Sequence, residues 1–442
     1  MTSEAILSIL DFLLRGSVPY DKVGYTADRS RFKAYRLVIV DSGFFAHPPT
    51  SVPQVNEWIT NAVTDHEGHK HNLPVLFGNS DVERLGDTIV VHSDVIATAW
   101  FFLTRLEETL TNDRDRHGRF LAKHSIALRY GFLDRPILDE YGEWLRGLLG
   151  VNNSPHHLGA IYLTHDIDRV TLYRNLQGTL GAIKRTLLGH NEFPALFRAL
   201  SQNAEADPLF TFEDMIHLDA LLPNATVIYF LKSAAFNHSL YDKPLYHLGD
   251  KDSLRMLSKI CATNAHLGWH SSYHAATSRD RLYRDMKDLV QQMGHHNIKI
   301  KDDMVPHRSH YLRSPAPQHF TWLAQIGIRH DFTLAYPDCI GFRAGTCHPY
   351  PWIDPMTGQV TTLTIHPLTL MDVTLSDEQY MHLKQDEAYQ QATRIINTVA
   401  WHGGELTMLW HNNSFRTDIT DNYHPKLYRE LIDFLGIKSH EQ

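Results

Sequence analysis

The stretch that decides the fold is residues 159–168, where an apolar run, GAIYLT, is followed directly by HDID. An apolar, β-branched run of this length predicts a buried β-strand. Similar runs occur at 226–231 (TVIYFL), 265–269 (AHLGW) and 406–410 (LTMLW), and stretches with helical periodicity separate them. Such alternation is typical of α/β proteins with a parallel sheet. We therefore predict an α/β fold in the form of a distorted or incomplete (β/α) barrel.

A smaller α/β domain is predicted to precede this barrel. Within residues 1–150, short strand-like runs at 37–40, 72–78 and 88–91 are followed by two stretches with helical periodicity. The polar segment Val151–His157 contains a proline and is the predicted linker. The predicted domains are therefore residues 1–150, of unknown role, and residues 158–442.

Composition excludes several classes of protein. Of 442 residues, 43% are hydrophobic, and the net charge of −8 comes without a dense basic stripe, which argues against a nucleic-acid partner. Three cysteines are too few for a disulfide framework. The N-terminus has no signal-peptide pattern, and no run of 18 apolar residues predicts a membrane span. We expect a cytoplasmic protein.

Two carboxylates end the first strand of the barrel. Asp166 and Asp168 are spaced i, i+2, so in an extended segment both side chains point to the same side. One of them would bind a cation and the other would transfer protons. The same spacing also fits an Asp-rich turn or a helix N-cap.

Two further clusters contain histidine. His270 and His274 form an H-x3-H pair after the strand-like LGW, and His411 follows LTMLW. If the pair opens a helical turn, the two imidazoles lie on one face, in a geometry that suits one divalent ion. The chain has 30 histidines, so an unrelated pair and a structural histidine are the alternatives.

The three clusters together are more informative than each one alone. All of them follow predicted parallel strands, and in a (β/α) barrel catalytic groups gather at the carboxyl ends of the strands. Asp168, His270 and His274 would bind a metal ion with open positions, as catalytic sites do. Asp166 and His411 would then be a base and an acid on either side of the bound group.

At these residues the sequence resembles the polysaccharide deacetylases, the carbohydrate esterase group with the NodB-type domain. The resemblance covers roughly residues 158–415 and rests on five motifs in the family's order, which are Asp166/Asp168, His270–His274, Arg308–Tyr311, Asp331 and Leu409–His411. The sequence departs from the family where His310 replaces a proline, where Asp-Ile-Asp replaces Asp-Asp-Gly, and after the fourth motif, where residues 341–347 (GFRAGTC) stand in place of the expected tryptophan. It therefore resembles a divergent member, with an N-terminal domain like the extra domain of some bacterial proteins of unassigned function.

The resemblance implies a metal-dependent hydrolase of linear amides, a deacetylase that removes acetyl groups from N-acetylated sugars or polysaccharide. The implied cofactor is a divalent ion, zinc first, with cobalt or manganese as the other options. The implied partner is an N-acetylated carbohydrate. The resemblance implies that Asp166 is the general base and His411 the general acid, and that the metal ligands are Asp168, His270 and His274. Arg308 and Asp331 would orient the base and set its charge. The backbone N–H of Tyr311 would contact the oxyanion.

Two other functions fit the same residues. A non-catalytic carbohydrate-binding or scaffold protein would retain the fold without turnover, and the altered third and fourth motifs favour it. Two histidines and a carboxylate also bind non-haem Fe(II) in oxygenases, although those sites lack the acid–base pair inferred here.

Overall fold

The computed structural model describes residues 2–151, 157–174, 176–188, 197, 201, 203–232, 239–298 and 305–440. The helices in this part of the chain are α1 (Ser3–Leu14), α2 (Val95–Leu103), α3 (Leu106–Thr109), α4 (Ile126–Arg129), α5 (Ile137–Leu148), α6 (Leu176–Leu187), α7 (Phe212–Asp219), α8 (Lys251–Cys261), α9 (Arg279–His295), α10 (Gln318–Gln325), α11 (Asp372–Ser376), α12 (Gln385–Trp401) and α13 (His424–His440). The strands are β1 (Val23–Tyr25), β2 (Leu37–Ile39), β3 (Glu57–Thr64), β4 (Lys70–Val75), β5 (Gly78–Leu85), β6 (Thr88–Ser93), β7 (Ala160–Ile167), β8 (Thr226–Lys232), β9 (His266–Ser271), β10 (His307–Ser309), β11 (His330–Asp331), β12 (Tyr350–Ile353), β13 (Val360–Ile365), β14 (Leu370–Met371) and β15 (Glu405–Leu409).

The larger sheet has the strand order β12-β13-β11-β10-β9-β8-β7-β15-β14 in the described part of the chain. Its strands run parallel except for β12, which pairs antiparallel with β13. The sheet forms a distorted, open (β/α) barrel, which confirms the predicted fold class. Because the strands are parallel, their carboxyl ends meet at one edge, and the polar clusters lie at that edge.

The first barrel strand is longer than the sequence predicts. The prediction ended β7 at Thr164, but pairing with β8 continues through Asp166↔Phe230 and Ile167↔Leu231. A charged residue within an apolar strand is not expected from hydropathy. Asp166 is accommodated because Arg308 pairs with it at 3.0 Å. Asp166 is therefore the last residue but one of β7, and Asp168 directly follows the end of the strand.

The N-terminal part contains a four-stranded sheet, in the order β1-β2-β6-β5, and the hairpin β3–β4. Helix α2 is buried at every position, and one hydrophobic cluster contains residues of both parts of the chain, such as Phe101, Leu163 and Leu406. The two parts therefore share a core. Residues 152–156 of the predicted linker lie outside the described residues. None of the described helices is long and apolar enough to cross a membrane.

A buried ion-pair network joins the two parts. Glu108 accepts hydrogen bonds from Arg105 at 3.0 and 2.6 Å and from Arg343 at 3.1 and 2.8 Å. Burial alone would raise the pKa of Glu108, but the two arginines lower it to about 2. The carboxylate therefore stays ionised and holds two guanidinium groups that have little access to water.

We expect Glu108→Gln to lower the free energy of unfolding by about 3–5 kcal/mol, because it leaves buried arginine charge without a counter-ion. Urea denaturation measures this loss. The matched control is Glu67→Gln, since Glu67 is 60% exposed and its removal should change stability by less than about 0.5 kcal/mol. Equal midpoints for the two variants would contradict the structural role of the network.

Candidate functional site

A cavity of about 430 Å³ opens at the carboxyl edge of the large sheet. It is lined by side chains from both parts of the chain, among them Arg116, His117 and Arg119 from the N-terminal part, and Asp166, Asp168, Lys232, His270, His310, Tyr311, Leu409 and His411 from the barrel. Residues of the three predicted clusters therefore line one cavity, namely Asp166 and Asp168, His270, and His411.

Asp168, His270 and His310 form the closest group of potential metal ligands in this cavity. One ligand atom from each residue lies within 4.8 Å of the other two. Oδ1 of Asp168 is 3.1 Å from Nε2 of His310 and 3.6 Å from Nε2 of His270. Strand pairing explains the convergence, because β9 and β10 are neighbours with Arg308 opposite His270.

Hydrogen bonds at the far side of each ring fix the orientation of both imidazoles. Nδ1 of His270 donates to the carbonyl oxygen of Arg308 at 3.1 Å, and Nδ1 of His310 donates to Oδ1 of Asp242 at 2.9 Å. A neutral ring that donates from Nδ1 has its lone pair on Nε2. Both Nε2 atoms face Asp168. An oxygen that accepts from Nδ1 orients a metal-bound histidine in the same way.

Two of these ligand atoms lack a hydrogen-bond partner. Oδ1 of Asp168 and Nε2 of His270 are buried, and no described residue forms a hydrogen bond of good geometry with either atom. Unpaired buried polar atoms are rare and costly, and a divalent cation between them would satisfy both. Two imidazoles and one carboxylate are a common ligand set for catalytic zinc and leave coordination positions open. These three residues therefore fit the predicted metal ion.

Lys232 is the cation nearest to this group. Its Nζ lies 3.6 Å from Oδ1 of Asp168 and donates to the carbonyl oxygen of Asp242 at 3.1 Å. Lys232 is 4% exposed, so it neutralises part of the charge of Asp168 inside the protein. A bound metal ion would share the carboxylate with this ammonium group.

His274 lies outside the group. The expected helical turn from His270 to His274 is wrong, because His270 lies on β9 and His274 caps a short 3₁₀ turn after it. The i, i+4 rule for a shared face applies only on a helix. His274 packs edge-on against Tyr273 and does not belong to the ligand cluster. His310 occupies the place that the sequence assigned to His274.

Asp166 is held by an arginine, as the sequence predicted. Arg308 donates from Nη1 to Oδ1 of Asp166 at 3.0 Å and to Oγ1 of Thr164 at 2.8 Å, and its guanidinium lies 4.5 Å from the ring centre of Phe230. The other oxygen of Asp166, Oδ2, lies 3.6 Å from Nε2 of His270. Asp166 therefore has one anchored oxygen and one that faces the candidate metal group.

Asp331 lies behind the cavity wall. It accepts hydrogen bonds from Nδ1 of His307 at 2.6 Å and from the hydroxyl of Thr333 at 2.8 Å, and Oγ of Ser271 is 2.9 Å from Nε2 of His307. Ser271, His307 and Asp331 resemble a Ser–His–Asp triad, but none of them has solvent access. Asp331 thus stabilises the strands that carry His270 and Arg308. Its effect on Arg308 is electrostatic.

His411 is paired with a carboxylate that the sequence did not reveal. Nδ1 of His411 donates to Oδ1 of Asp372 at 2.8 Å, and its backbone N–H donates to Oδ2 at 2.7 Å. Burial alone would lower the pKa of His411, but Asp372 raises it to about 10. The ring is therefore protonated at neutral pH, and Nε2 remains available to the cavity.

Tyr311 follows His310 in an unusual backbone conformation. Its φ of 61° and ψ of 18° are left-handed, and Leu312 also has a positive φ of 52°. Such strain in residues other than glycine persists only where neighbours impose it. Nη1 of Arg119 donates to the carbonyl oxygen of Tyr311 at 3.2 Å, so the N-terminal part fixes this segment.

Three functional candidates escaped the sequence analysis, namely His310, Asp242 and Asp372. His310 stood inside the third motif, where its replacement of proline was noted only as a departure. Asp372 follows the two-residue strand β14, in LTLMD, and this is the same pattern of apolar run and strand-end carboxylate as in the first motif. Asp242 lies in a loop without such a signal.

Part of the N-terminal region matches a described family, and the chain is similar to two solved structures. Residues 18–153 match a family of unknown function, DUF7033. No curated protein matches this chain. Among solved structures, a candidate polysaccharide deacetylase from Mycobacterium smegmatis aligns at 15% identity and a TM-score of 0.41, over 66% of this chain and 92% of its own. Puue allantoinase aligns at 14% identity and a TM-score of 0.37, over 66% and 90%.

Proposed function

We propose that this protein is a metal-dependent hydrolase that removes acetyl groups from N-acetylated sugars or polysaccharide. The observation that carries the proposal is that Asp166, Asp168, His270, His310 and His411 face one cavity at the carboxyl edge of a parallel sheet. Asp168, His270 and His310 are the proposed metal ligands, with His310 in the place first assigned to His274. The ion would be zinc, or alternatively cobalt or manganese.

The metal ion would supply a nucleophile at neutral pH, since a bound divalent ion lowers the pKa of water from 15.7 to roughly 7. Asp166 would accept the proton of the attacking water. Its carboxylate is suited to this role because Arg308 fixes one of its two oxygens. The second oxygen faces the site and is the one that would receive the proton.

His411 would complete the reaction as general acid. An amine is a poor leaving group unless it is protonated, and the His411 imidazolium is held in its charged form by Asp372. The backbone N–H of Tyr311 would stabilise the oxyanion that forms on the substrate, as preorganised donors do. Arg119 would keep that N–H in position through the Tyr311 carbonyl.

The alternative is a non-catalytic carbohydrate-binding or scaffold protein, and Lys232 is the observation that favours it. An ammonium group 3.6 Å from Asp168 neutralises the carboxylate without any metal ion. In that case His310 would be positively charged and paired with Asp168 and Asp242. Burial lowers the pKa of His310, but Asp168 acts in the opposite direction and the pKa is raised overall.

Acetate release distinguishes the two functions. The full chain is incubated with N-acetylated oligosaccharides and zinc, cobalt or manganese, and acetate and sugar binding are both measured. We expect metal-dependent acetate release from the wild type and none from Asp166→Asn. Tight sugar binding without acetate in the presence of every metal would overturn the hydrolase proposal in favour of the alternative.

A further inference from the structure

We infer that the cavity recognises a negatively charged group on its substrate, through Arg116, Arg169 and Lys243. This inference rests on the proposed function, which it deepens by naming a substrate class, namely N-acylated sugars that carry a carboxylate or a phosphate.

Two of the five lysine and arginine side chains that line the cavity are neutralised. Arg119 pairs with Asp115 at 2.7 Å, and Lys232 lies 3.6 Å from Asp168. The other three cations are Arg116, Arg169 and Lys243. Within the described ranges, no carboxylate oxygen lies within 4.0 Å of these three charged groups.

Arg116 is fixed in place by the N-terminal part of the chain. Its Nε donates to Nε2 of His117 at 3.0 Å, and the other ring nitrogen of His117 lies 3.1 Å from the hydroxyl of Tyr273. The backbone oxygen of His117 accepts from Arg313 at 2.9 Å. This loop is therefore tied to the barrel beside the cavity. A guanidinium held this way retains free donors for a carboxylate or phosphate.

Arg169 directly follows the proposed ligand Asp168. Its Nε is buried and has no hydrogen-bond partner among the described residues, and its backbone oxygen accepts from Asn412 at 2.8 Å. An oxyanion is the acceptor that a guanidinium binds best. Because Arg169 lines the cavity, a substrate anion there would provide an acceptor for this guanidinium.

The charges around the cavity favour an anion. Asp166 is paired with Arg308, and Asp168 would be shared by Lys232 and the proposed metal ion, so neither one offsets the other three cations. Asp377 is the remaining carboxylate in the lining, and its Oδ1 accepts from the backbone N–H of Gln379. The protein as a whole has a net charge of −8. The cationic cluster at the cavity is therefore opposite in sign to the net charge and would attract anionic substrates.

The inference also gives the N-terminal part a role. Arg116 lies within residues 18–153, the segment that matches a family of unknown function. If Arg116 binds the substrate, this segment contributes directly to specificity. It would then act as one wall of the cavity, and the barrel alone would hold an incomplete substrate site.

Binding and turnover of three probes test the inference on the metal-loaded full chain. The probes are N-acetylglucosamine, which is neutral, N-acetylglucosamine 6-phosphate and N-acetylmuramic acid, which carries a carboxylate. Calorimetry gives Kd, and acetate release gives KM and kcat. We expect the anionic probes to bind about tenfold more tightly than the neutral one, with a preference that declines as salt is added. The phosphate and carboxylate probes together identify which anion is preferred.

The variants Arg116→Met, Arg169→Met and Lys243→Met should each remove most of that preference, so that the anionic probes bind nearly as weakly as the neutral probe binds to the same variant. The matched control is Arg329→Met, since Arg329 is exposed and precedes β11 at the opposite edge of the sheet. Equal affinity for all probes, or a preference that all three variants retain, would overturn the inference. Charge-selective binding without acetate would instead refute the hydrolase proposal alone, and acetate release without charge preference would refute the inference alone.

Discussion

Replacement of His310 by alanine is expected to abolish stoichiometric zinc binding, and with it acetate release. The reason is that Nε2 of His310 lies 3.1 Å from Oδ1 of Asp168 and belongs to the three-residue ligand group. Loss of a residue that only hydrogen-bonds a metal ligand already weakens metal binding by roughly 10–100-fold, so loss of a ligand itself should exceed that range. Metal content after dialysis, measured by atomic emission, gives the result.

The matched control for this experiment is His274→Ala. The sequence assigned His274 as a ligand, whereas the structure places it outside the ligand group. We therefore expect the control to retain zinc and acetate release. Full metal binding by His310→Ala, together with its loss in His274→Ala, would contradict the proposed ligand set and restore the sequence assignment.

The second large effect is expected from His411→Ala. This variant should retain zinc while kcat falls by about 10²–10⁴-fold, because the departing amine loses its proton donor. Zinc content and kcat are measured on the same preparation. Unchanged turnover would contradict the assignment of His411 as the acid, and lost zinc would place this residue among the ligands.

The variant Asp372→Asn tests how His411 is positioned and charged. Asp372 raises the pKa of His411, so the protonated form persists as pH rises towards about 10. Asparagine can accept the same hydrogen bond but carries no charge. The alkaline limb of the kcat profile should therefore move to lower pH in this variant. An unmoved limb with reduced kcat would indicate a merely structural role.

The sequence predicted those parts of the site that follow long strands. β7, β8, β9 and β15 are buried on both faces over most of their length, as strands covered by helices are, and their ends were recognisable. Asp166, Asp168, His270 and His411 were therefore found. The N-terminal part was predicted less completely, because β3 and β5 are polar strands with many exposed positions and resemble loops in hydropathy.

The ligand set could not be predicted in full because it depends on the backbone conformation after β9. A helix there would have placed His274 beside His270, but the strand continues to Ser271 and then turns. His310 comes from the neighbouring strand end, and only the pairing of β9 with β10 brings it close. Asp372 was missed although it follows an apolar run, because β14 has only two residues and was not recognised as a strand.

The most direct measurement is an anomalous difference map at the zinc absorption edge, from crystals of the zinc-loaded full chain. We predict one peak at ~2.0–2.2 Å from Nε2 of His270, Nε2 of His310 and an oxygen of Asp168, the usual distances for zinc ligands. Density for zinc bound through His274, or a cavity in which Lys232 alone pairs with Asp168 at saturating zinc, would contradict the proposed metal site.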